Sequence, residues 1–241
     1  MNCFFRFPHT PHLAWLGDGS PRDDKVLKAA EVDQLLSRDV VVEEKLDGAN
    51  LGLSVGADGQ LQVQNRGQYL TPPFHGQFSR LASWLPLHGE NITEALGHNL
   101  ILFGEWCAAR HSLGYDMLPD WFVAFDVYDR TSQRFWSTAR RNRLVAQLGL
   151  AVVPAVFRGP ITLPELKQRL ITGTTSHGTG PAEGLIIRRE DADWLEERAK
   201  LVRPDFTQAI TDHWTSRKME WNKVIATGAS SSMTSCDTPP A

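Results

Sequence analysis

The sequence predicts an α+β domain built on antiparallel sheets. Short strands and short helices alternate without a repeating strand–helix–strand period, and the hairpin signal Asp58-Gly59 lies between two apolar runs. The chain has 241 residues, of which 41% are apolar, so one large domain with a substantial core is expected. We place this domain at residues 1–225 and predict a disordered tail at 226–241, where Ser, Thr and Pro are frequent.

Charge and cysteine content exclude several classes of protein. The net charge of −3 gives no overall nucleic-acid signal, so a nucleic-acid surface would have to be local. Cys3, Cys107 and Cys236 lack the spacing of a zinc site or a disulfide framework. No apolar run approaches the roughly 20 residues of a membrane span, and the N-terminus does not resemble a signal peptide. A cytoplasmic protein with no membrane partner is therefore expected.

Eight segments have the length and residue types of strands. Most are rich in Val, Ile, Leu or Phe and are bounded by glycine, proline or charged residues. In chain order they are 40–44, 50–55, 61–64, 100–103, 121–127, 151–157, 183–188 and 199–202. The hairpin made by the second and third strands ends at Arg66. Antiparallel pairing would place Arg66 beside Lys45, at the end of the first strand.

Five helices are predicted after the N-terminal segment, which is interrupted by prolines and cannot itself be helical. The first carries apolar residues at helical spacing, and the next three begin at side-chain caps. They start at Thr71, at Asn91, at Ser137, at Thr162 and near Phe206. In the N-terminal segment, His9 and His12 lack a third partner for a metal site.

Lys45 is the residue at which we expect the chemistry. It lies where the buried run Val40-Val41-Val42 ends, and a lysine there is costly unless something uses its charge. Burial and neighbouring cations lower the pKa of an amine and make it a nucleophile. Gly48 would let the backbone approach a ligand closely. Taken alone, the pattern Lys-x-Asp-Gly is more typical of a surface lysine before a turn.

Other charged residues lie at the ends of predicted strands. Each follows or precedes an apolar run, where a single charge is costly without a partner. They are Arg66, Glu105, Asp126, Glu183 and Lys200. A shared polar cleft explains all of them together.

In chain order, these residues form motifs that resemble those of the covalent nucleotidyltransferases, which include DNA ligases, RNA ligases and mRNA capping enzymes. Lys45-Leu46-Asp47-Gly48 resembles motif I, Gly104-Glu105-Trp106 motif III, Phe122 to Asp126 motif IIIa, Glu183 to Ile187 motif IV and Ala199 to Val202 motif V. Asn50, Asn65-Arg66-Gly67 and the segment Pro8 to Leu13 narrow the resemblance to ATP-dependent RNA ligases of the RNA ligase 2 type. The resemblance covers residues 4–218. It implies the nucleotidyltransferase fold, with antiparallel sheets flanked by helices around a central nucleotide cleft.

The resemblance implies a two-stage reaction. Lys45 attacks the α-phosphate of ATP, releases pyrophosphate and carries AMP as a lysyl–AMP phosphoramidate. AMP then passes to a 5′-phosphate RNA end, and a 3′-hydroxyl displaces it. The catalytic residues would be Lys45, Asp47 and Lys200, of which Asp47 would position the lysine and the metal.

The resemblance also implies the nucleotide and metal contacts. Glu183 would hold Mg²⁺ or Mn²⁺ through water, Glu105 would bind the ribose hydroxyls, and Phe125 would stack on adenine, with Phe122 as an open alternative. The nucleotide-binding set would be Glu44, Lys45, Asn50, Arg66, Glu105, Phe125, Glu183, Arg198 and Lys200. Arg198 stands where motif V usually carries a lysine, which keeps the charge but changes its geometry.

Alternatives to an RNA ligase are a minimal ATP-dependent DNA ligase, an mRNA guanylyltransferase that would use GTP, and a non-catalytic nucleic-acid-binding relative. The intact Lys45 argues against the last, because a binding module needs no buried nucleophile. RNA with 5′-phosphate and 3′-hydroxyl ends is the expected partner, and an end-healing partner protein is left open. The cluster Arg134, Arg140, Arg141 and Arg143 could bind nucleic acid or form a solvated helix face.

Overall fold

The strands of the computed structural model form two sheets; the structure describes residues 4–18, 21, 25–208 and 219–225. The strands are β1 (Val40–Lys45), β2 (Ala49–Val55), β3 (Leu61–Gln64), β4 (Tyr69–Leu70), β5 (Leu100–Trp106), β6 (Phe122–Asp129), β7 (Arg134–Phe135), β8 (Ala151–Val152), β9 (Ala155–Gly159), β10 (Gly184–Glu190) and β11 (Leu195–Val202). The helices are α1 (Ala29–Leu36), α2 (Leu81–Leu96), α3 (Thr138–Gln147), α4 (Leu163–Thr172) and α5 (Pro204–Gln208).

The first sheet has four strands in the order β11-β10-β1-β9, all antiparallel. The second sheet has the order β4-β3-β2-β5-β6-β7, with β8 beside β6. The predicted α+β class with antiparallel sheets is confirmed, and the short pairing of β6 with β8 is parallel. Helices α1 and α4 pack on the first sheet, and α2 and α3 pack on the second. None of the helices described is both long and apolar enough to cross a membrane.

The predicted hairpin is confirmed, but the predicted placement of its end beside strand β1 is not. Strands β2 and β3 pair around a turn in which Gly59 has a φ of +77°, a conformation that glycine adopts without strain. Strand β1 pairs with β9 and β10 in the other sheet. Pairing within one sheet therefore does not place Arg66 beside Lys45, and that prediction is wrong. Both residues instead line one cavity from different sheets.

The predicted strand 151–157 is two strands in different sheets. Ala151–Val152 lies beside β6, whereas Ala155–Gly159 pairs with β1. Between them, Val153 N donates to Ala124 O at 3.0 Å, and Pro154 O accepts from Glu44 N at 2.9 Å. Proline has no N–H for a ladder and interrupts the run there.

Helix α2 replaces two predicted helices. It runs without a break from Leu81 to Leu96 through Pro86, so Asn91 is inside it and is not a cap. Residues 71–80 form turns and a short 3₁₀ helix, Gly76–Phe78. The consecutive prolines at 72 and 73 disfavour an α-helix there, because a residue that precedes proline avoids helical dihedral angles.

The other helices follow their local signals more closely. Ser137 caps α3 by accepting from Arg140 N, and Thr162 and Glu165 form the predicted capping box of α4. Helix α1, which the sequence analysis did not predict, buries only Val32 and Leu35. The final predicted helix overlaps α5, but its residues Ile210, His213 and Trp214, and the predicted tail at 226–241, lie outside the described residues.

A buried network of ion pairs joins the two sheets. Three arginines and three carboxylates form it: Arg141, Arg188, Arg198, Glu43, Asp126 and Glu190. Arg141 binds Glu43 at 2.6 Å, and Arg188 binds Asp126 of the second sheet at 2.8 Å. Asp126 also binds Arg198. Asp126 is thus an interior residue, and the prediction that it belongs to the polar cleft is wrong.

The predicted arginine cluster divides in the same way. Arg141 is fully buried, so it is neither a solvated residue nor available to nucleic acid. Arg140 lies over the ring of Trp136 at 3.9 Å and over that of Trp194 at 4.7 Å, whereas Arg143 is exposed. The sequence analysis left open whether this cluster binds nucleic acid or forms a solvated helix face, and the buried Arg141 fits neither interpretation.

Replacing Arg141 with alanine should strongly destabilise the protein. The change leaves the Glu43 carboxylate buried without its closest partner, and breaking one side of a buried ion pair costs about 3 to 5 kcal/mol. Arg143→Ala, on the exposed face of the same helix, should change the free energy of unfolding by no more than about 0.5 kcal/mol. Urea unfolding of both variants measures the difference; equal effects would show that the buried pair is not important for stability.

Candidate functional site

The candidate site is a cavity of about 1330 Å³ that is lined by strands of both sheets. Strands β1, β10 and β11 contribute from the first sheet, and β2, β5 and β6 from the second. The predicted site residues that line it are Glu44, Lys45, Asn50, Arg66, Glu105, Phe125, Glu183 and Lys200. Its volume exceeds the usual range of about 300 to 1,000 Å³ for ligand pockets.

Lys45 and Glu183 form an ion pair inside this cavity. Lys45 Nζ lies 2.7 Å from Glu183 Oε1 and 2.6 Å from Oε2. The two residues meet because β1 pairs with β10 in a register that sets Lys45 opposite Gly184. A side chain at position 184 would lie 2.7 Å from the carbonyl oxygen of Leu201, so the close packing of β10 on β11 requires glycine.

The pKa of Lys45 is raised, although the sequence analysis predicted a lowered one. Burial disfavours the charged amine, but the carboxylates of Glu183, Glu105 and Asp47 together outweigh burial and favour the ammonium form. Burial is the main cause that raises the pKa of Glu183. In this arrangement the lysine is held as an ammonium ion.

Glu105 lies on the opposite wall of the site. Its Oε1 accepts a hydrogen bond from Gly48 N at 3.0 Å. Burial raises the pKa of Glu105 to about 7, with Lys45 opposing the shift and Glu183 adding to it. A Cβ atom at Gly48 would lie 2.7 Å from Trp106 O, so the close approach that this glycine permits is to the protein's own backbone.

Asn50 offers an acceptor that the protein leaves unused. It pairs with Glu105 in the register of β2 and β5 and lines the cavity. Its Oδ1 is buried and has no hydrogen-bond partner in the structure. A buried polar atom without a partner is costly, so a ligand that donates a hydrogen bond there would recover that cost.

Asp47 holds a loop and does not line the cavity. Its Oδ2 accepts from Ser112 N at 2.7 Å and from Leu113 N at 2.8 Å. Its own N–H donates to the hydroxyl oxygen of Tyr115 at 2.8 Å. Asp47 therefore acts through the backbone next to Lys45, and its predicted contribution to a metal site stays a prediction.

The Glu44 carboxylate is directed to another loop. Oε1 accepts from Thr175 Oγ1 at 2.5 Å, and Oε2 accepts from Ser176 N at 2.9 Å. Both oxygens are thus bound by the protein. Its predicted contact with a nucleotide stays a prediction.

The two phenylalanines of β6 have different surroundings. Phe125 lines the cavity, whereas Phe122 is fully buried in the core, 5.5 Å from the ring of Trp84. The structure thus leaves Phe125 as the aromatic residue of this pair that can meet a base. Its ring is held edge to face against Phe7 at 5.3 Å.

The two basic residues of motif V also differ. Lys200 lines the cavity, and its backbone pairs with that of Pro11 and Leu13. Arg198 is bound by Asp126 and lies 4.4 Å from the rings of both Phe7 and Phe135, outside the set of residues that line the cavity. Its charge is already compensated, and its predicted phosphate contact stays a prediction.

The carboxylates suit a metal ion that arrives with a phosphate ligand. No group of three or more His, Cys, Asp or Glu side chains that could hold a metal occurs among the residues described. Mg²⁺ usually keeps several waters and binds one or two carboxylates plus substrate phosphates. The single carboxylate of Glu183 fits that chemistry, although Lys45 now occupies both of its oxygens.

The sequence analysis did not identify several residues that shape the site. Glu43 and Arg188 line the cavity from the buried ion-pair network, and Tyr115 and Thr175 fix the two loops beside Lys45. The position of Glu43 two residues before Lys45, on the same face of a strand, was a usable signal. Tyr115 and Thr175 lie in irregular loops, where no periodic pattern marks them.

Comparison with known families agrees with this geometry. The model of the RNA ligase family matches residues 38–202, which run from just before β1 to the end of β11. The chain belongs to the RNA ligase family. The match includes both walls of the cavity and therefore the ion pair of Lys45 with Glu183. A search of curated proteins finds no match.

This chain shares its fold with solved structures of a Naegleria gruberi RNA ligase. The structure with PPi aligns with a TM-score of 0.60 at 20% identity and covers 85% of this chain and 64% of that one. A mutant with ATP and Mn aligns with a TM-score of 0.55 at 19% identity and covers 76% and 55%. A mutant with AMP and Mn aligns with a TM-score of 0.56 at 18% identity and covers 85% of this chain and 64% of that one. The chain thus spans less than two thirds of those ligases.

The stability of this RNA ligase family member should depend on pH through Glu105. Its pKa is about 7 when folded and 4.5 ordinarily, so the folded state binds this proton more tightly. The free energy of unfolding should therefore fall as pH rises from 4.5 to 7, by up to about 3 kcal/mol. In Glu105→Gln this contribution is absent, and its unfolding energy should be flatter over that range. Urea unfolding at pH 5 and pH 8 measures this for both proteins. If wild type and Glu105→Gln lose the same free energy of unfolding between the two pH values, the assignment is contradicted.

Proposed function

We propose that this protein is an ATP-dependent RNA ligase that carries AMP on Lys45, transfers it to a 5′-phosphate RNA end and joins that end to a 3′-hydroxyl. The observation that carries the proposal is the Lys45 amine, held 2.6 to 2.7 Å from Glu183 in a cavity lined by the other predicted nucleotide residues. Membership of the RNA ligase family supports the reaction class.

In the first stage the Lys45 amine attacks the α-phosphorus of ATP. An N–P bond forms, the bond from the α-phosphorus to the bridging oxygen breaks, and pyrophosphate leaves with that electron pair. The amine attacks only after losing a proton, so the ion pair with Glu183 orients the lysine in an unreactive form. Reaction requires the amine to lose this proton and to leave the carboxylate.

The remaining cavity residues divide between the base, the sugar and the phosphates. Phe125 would stack on adenine, and Asn50 Oδ1 would accept a hydrogen bond from the nucleotide. Glu105 would accept from the ribose hydroxyls. Lys200 and Arg66 would stabilise the charge that develops on the α-phosphate.

A divalent ion bound at Glu183 would neutralise phosphate charge and act as a Lewis acid on the phosphorus. The solved Naegleria ligases bound to ATP or AMP with Mn support the use of such an ion. Glu183 would provide a carboxylate for it, and the phosphates and water would complete its coordination.

Lys45→Ala should abolish covalent labelling by radioactive ATP, because it removes the amine that would attack the α-phosphorus, whereas Lys200 would contact the phosphates as a cation. Wild-type protein incubated with labelled ATP and magnesium should give an acid-labile adduct on a denaturing gel. Labelled GTP and NAD are the controls for nucleotide choice. An adduct of normal yield on the variant, or one mapped to another lysine, would contradict the assignment.

The same variant separates the two stages. On RNA that already carries a 5′-adenylate, Lys45→Ala should retain some joining, because the step that needs the lysine is bypassed. Nicked RNA and nicked DNA duplexes tested side by side distinguish an RNA ligase from a minimal DNA ligase. Efficient sealing of DNA alone would support the latter.

Phe125→Ala should weaken ATP binding by about 5- to 150-fold, since a stacked base is worth roughly 1 to 3 kcal/mol. Phe122→Ala, three residues earlier, should instead lower the free energy of unfolding by about 3 to 5 kcal/mol, because it empties a buried core position. Half-saturating ATP in the adenylylation assay and urea unfolding check both. If the effects are reversed between the two variants, the assignment of the stacking residue is wrong.

A further inference from the structure

We propose that Asn222 is a positioning residue for the adenylylation step, and that residues 219–225 form a strap that orders the loop bound to Asp47. This inference rests on the proposed function. The strap lies beyond the residues matched by the family model, 38–202, so the family match does not assign it a role. We call residues 107–118 the Asp47 loop.

Asn222 is buried and uses its whole side chain on the Asp47 loop. Its Oδ1 accepts from Tyr115 N at 2.8 Å. Its Nδ2 donates to Cys107 O at 2.8 Å and to Ala109 O at 3.2 Å. Three hydrogen bonds from one side chain thus bind three points of a loop that contains no helix or strand.

The backbone of the strap pairs with the same loop. Asn222 N donates to Ala108 O at 3.0 Å, Lys223 N to Tyr115 O at 2.9 Å, and Ile225 N to Leu118 O at 2.8 Å. In the other direction, the N–H groups of Arg110 and Leu118 donate to strap carbonyls. Outside the strap, the backbone N–H groups of the loop also donate to the carbonyls of Trp121 and His177. The strap supplies the pairing that a neighbouring strand would otherwise give.

The other side of the loop binds Asp47. Ser112 N and Leu113 N donate to its carboxylate, and the Tyr115 hydroxyl accepts from its backbone N–H. Tyr115 therefore contacts Asn222 through its N–H and Asp47 through its hydroxyl. Asp47 is only two residues from Lys45 in the chain. The loop therefore fixes the backbone that carries the Lys45 side chain.

This arrangement predicts an effect on rate and little effect on ATP affinity. Neither Asp47 nor Asn222 lines the cavity, whereas the residues expected to bind the base and sugar are on the strands of the second sheet. Releasing the loop would misplace the amine relative to the α-phosphate, and a misplacement of about 1 Å can reduce a rate roughly 100-fold.

The test compares Asn222→Ala with Glu220→Ala in the full chain. Glu220 is on the same strap, but among the described residues its side chain makes only an exposed ion pair with Arg110. Asn222→Ala should lower the adenylylation rate about 10- to 100-fold with little change in half-saturating ATP. Hydrogen–deuterium exchange without ATP should show faster exchange in the Asp47 loop. Glu220→Ala should match wild type in both.

A double variant decides whether Asn222 acts through Asp47. If it does, Asn222→Ala combined with Asp47→Ala should lose no more rate than the larger single loss, because both changes release the same loop. Tyr115→Phe, which removes only the hydroxyl that meets Asp47 N, should reproduce the rate loss if Asn222→Ala fails to fold. The proposal would be overturned if the fold-loss of rate in the double variant equals the product of the two single losses. A normal rate in Tyr115→Phe would also overturn it.

The exchange measurement keeps this proposal separate from the proposed function. If wild-type protein forms no adduct, the ligase proposal fails, while the exchange of the Asp47 loop still reports on the strap. If wild type forms the adduct and Asn222→Ala shows neither slower adenylylation nor faster exchange, the strap proposal alone fails.

Discussion

The charges of strand β1 and of the turn after it must be neutralised inside the protein, and the rest of the fold depends on this requirement. Glu43 is bound by arginines of α3 and β10, and Glu44 by the loop at 175–176. Lys45 is bound by Glu183, and Asp47 by backbone N–H groups of the Asp47 loop. Buried charges without partners are too costly to keep, so each fixes a different segment of the chain against β1. Lys45, the proposed nucleophile, lies at the centre of these contacts.

Local features of the fold could be predicted from the sequence because their signals are local. The hairpin at Asp58-Gly59 and the caps at Ser137 and Thr162 depend on a few adjacent residues. The sheet to which a strand belongs depends on distant partners. The run 151–157 is apolar throughout, and Pro154 marks a break in its pairing but does not indicate that the two halves belong to different sheets. Helix α1 was missed because it has only eight residues, of which Val32 and Leu35 are buried.

The candidate site shows the same division. A charge at the end of an apolar strand is the same signal whether it faces a cavity or an interior partner. Lys45, Glu105 and Glu183 were placed correctly in the cavity, but Asp126 is an interior residue. The buried arginines that bind Asp126 come from strands far away in the sequence. The direction of the pKa shift of Lys45 likewise depends on carboxylates that only the folded chain brings together.

The connection at Val153-Pro154 has a consequence for the width of the cleft. The chain passes between the sheets there and again at 46–48, directly after β1. The first of these connections is bound to the end of β1 by the hydrogen bond from Glu44 N to Pro154 O. Two extended residues span at most about 7 Å, so the covalent chain tethers the sheets beside Lys45. One inserted residue in either crossing would add slack of about 3.5 Å. That is more than the 2.6 Å between Lys45 Nζ and the Glu183 carboxylate.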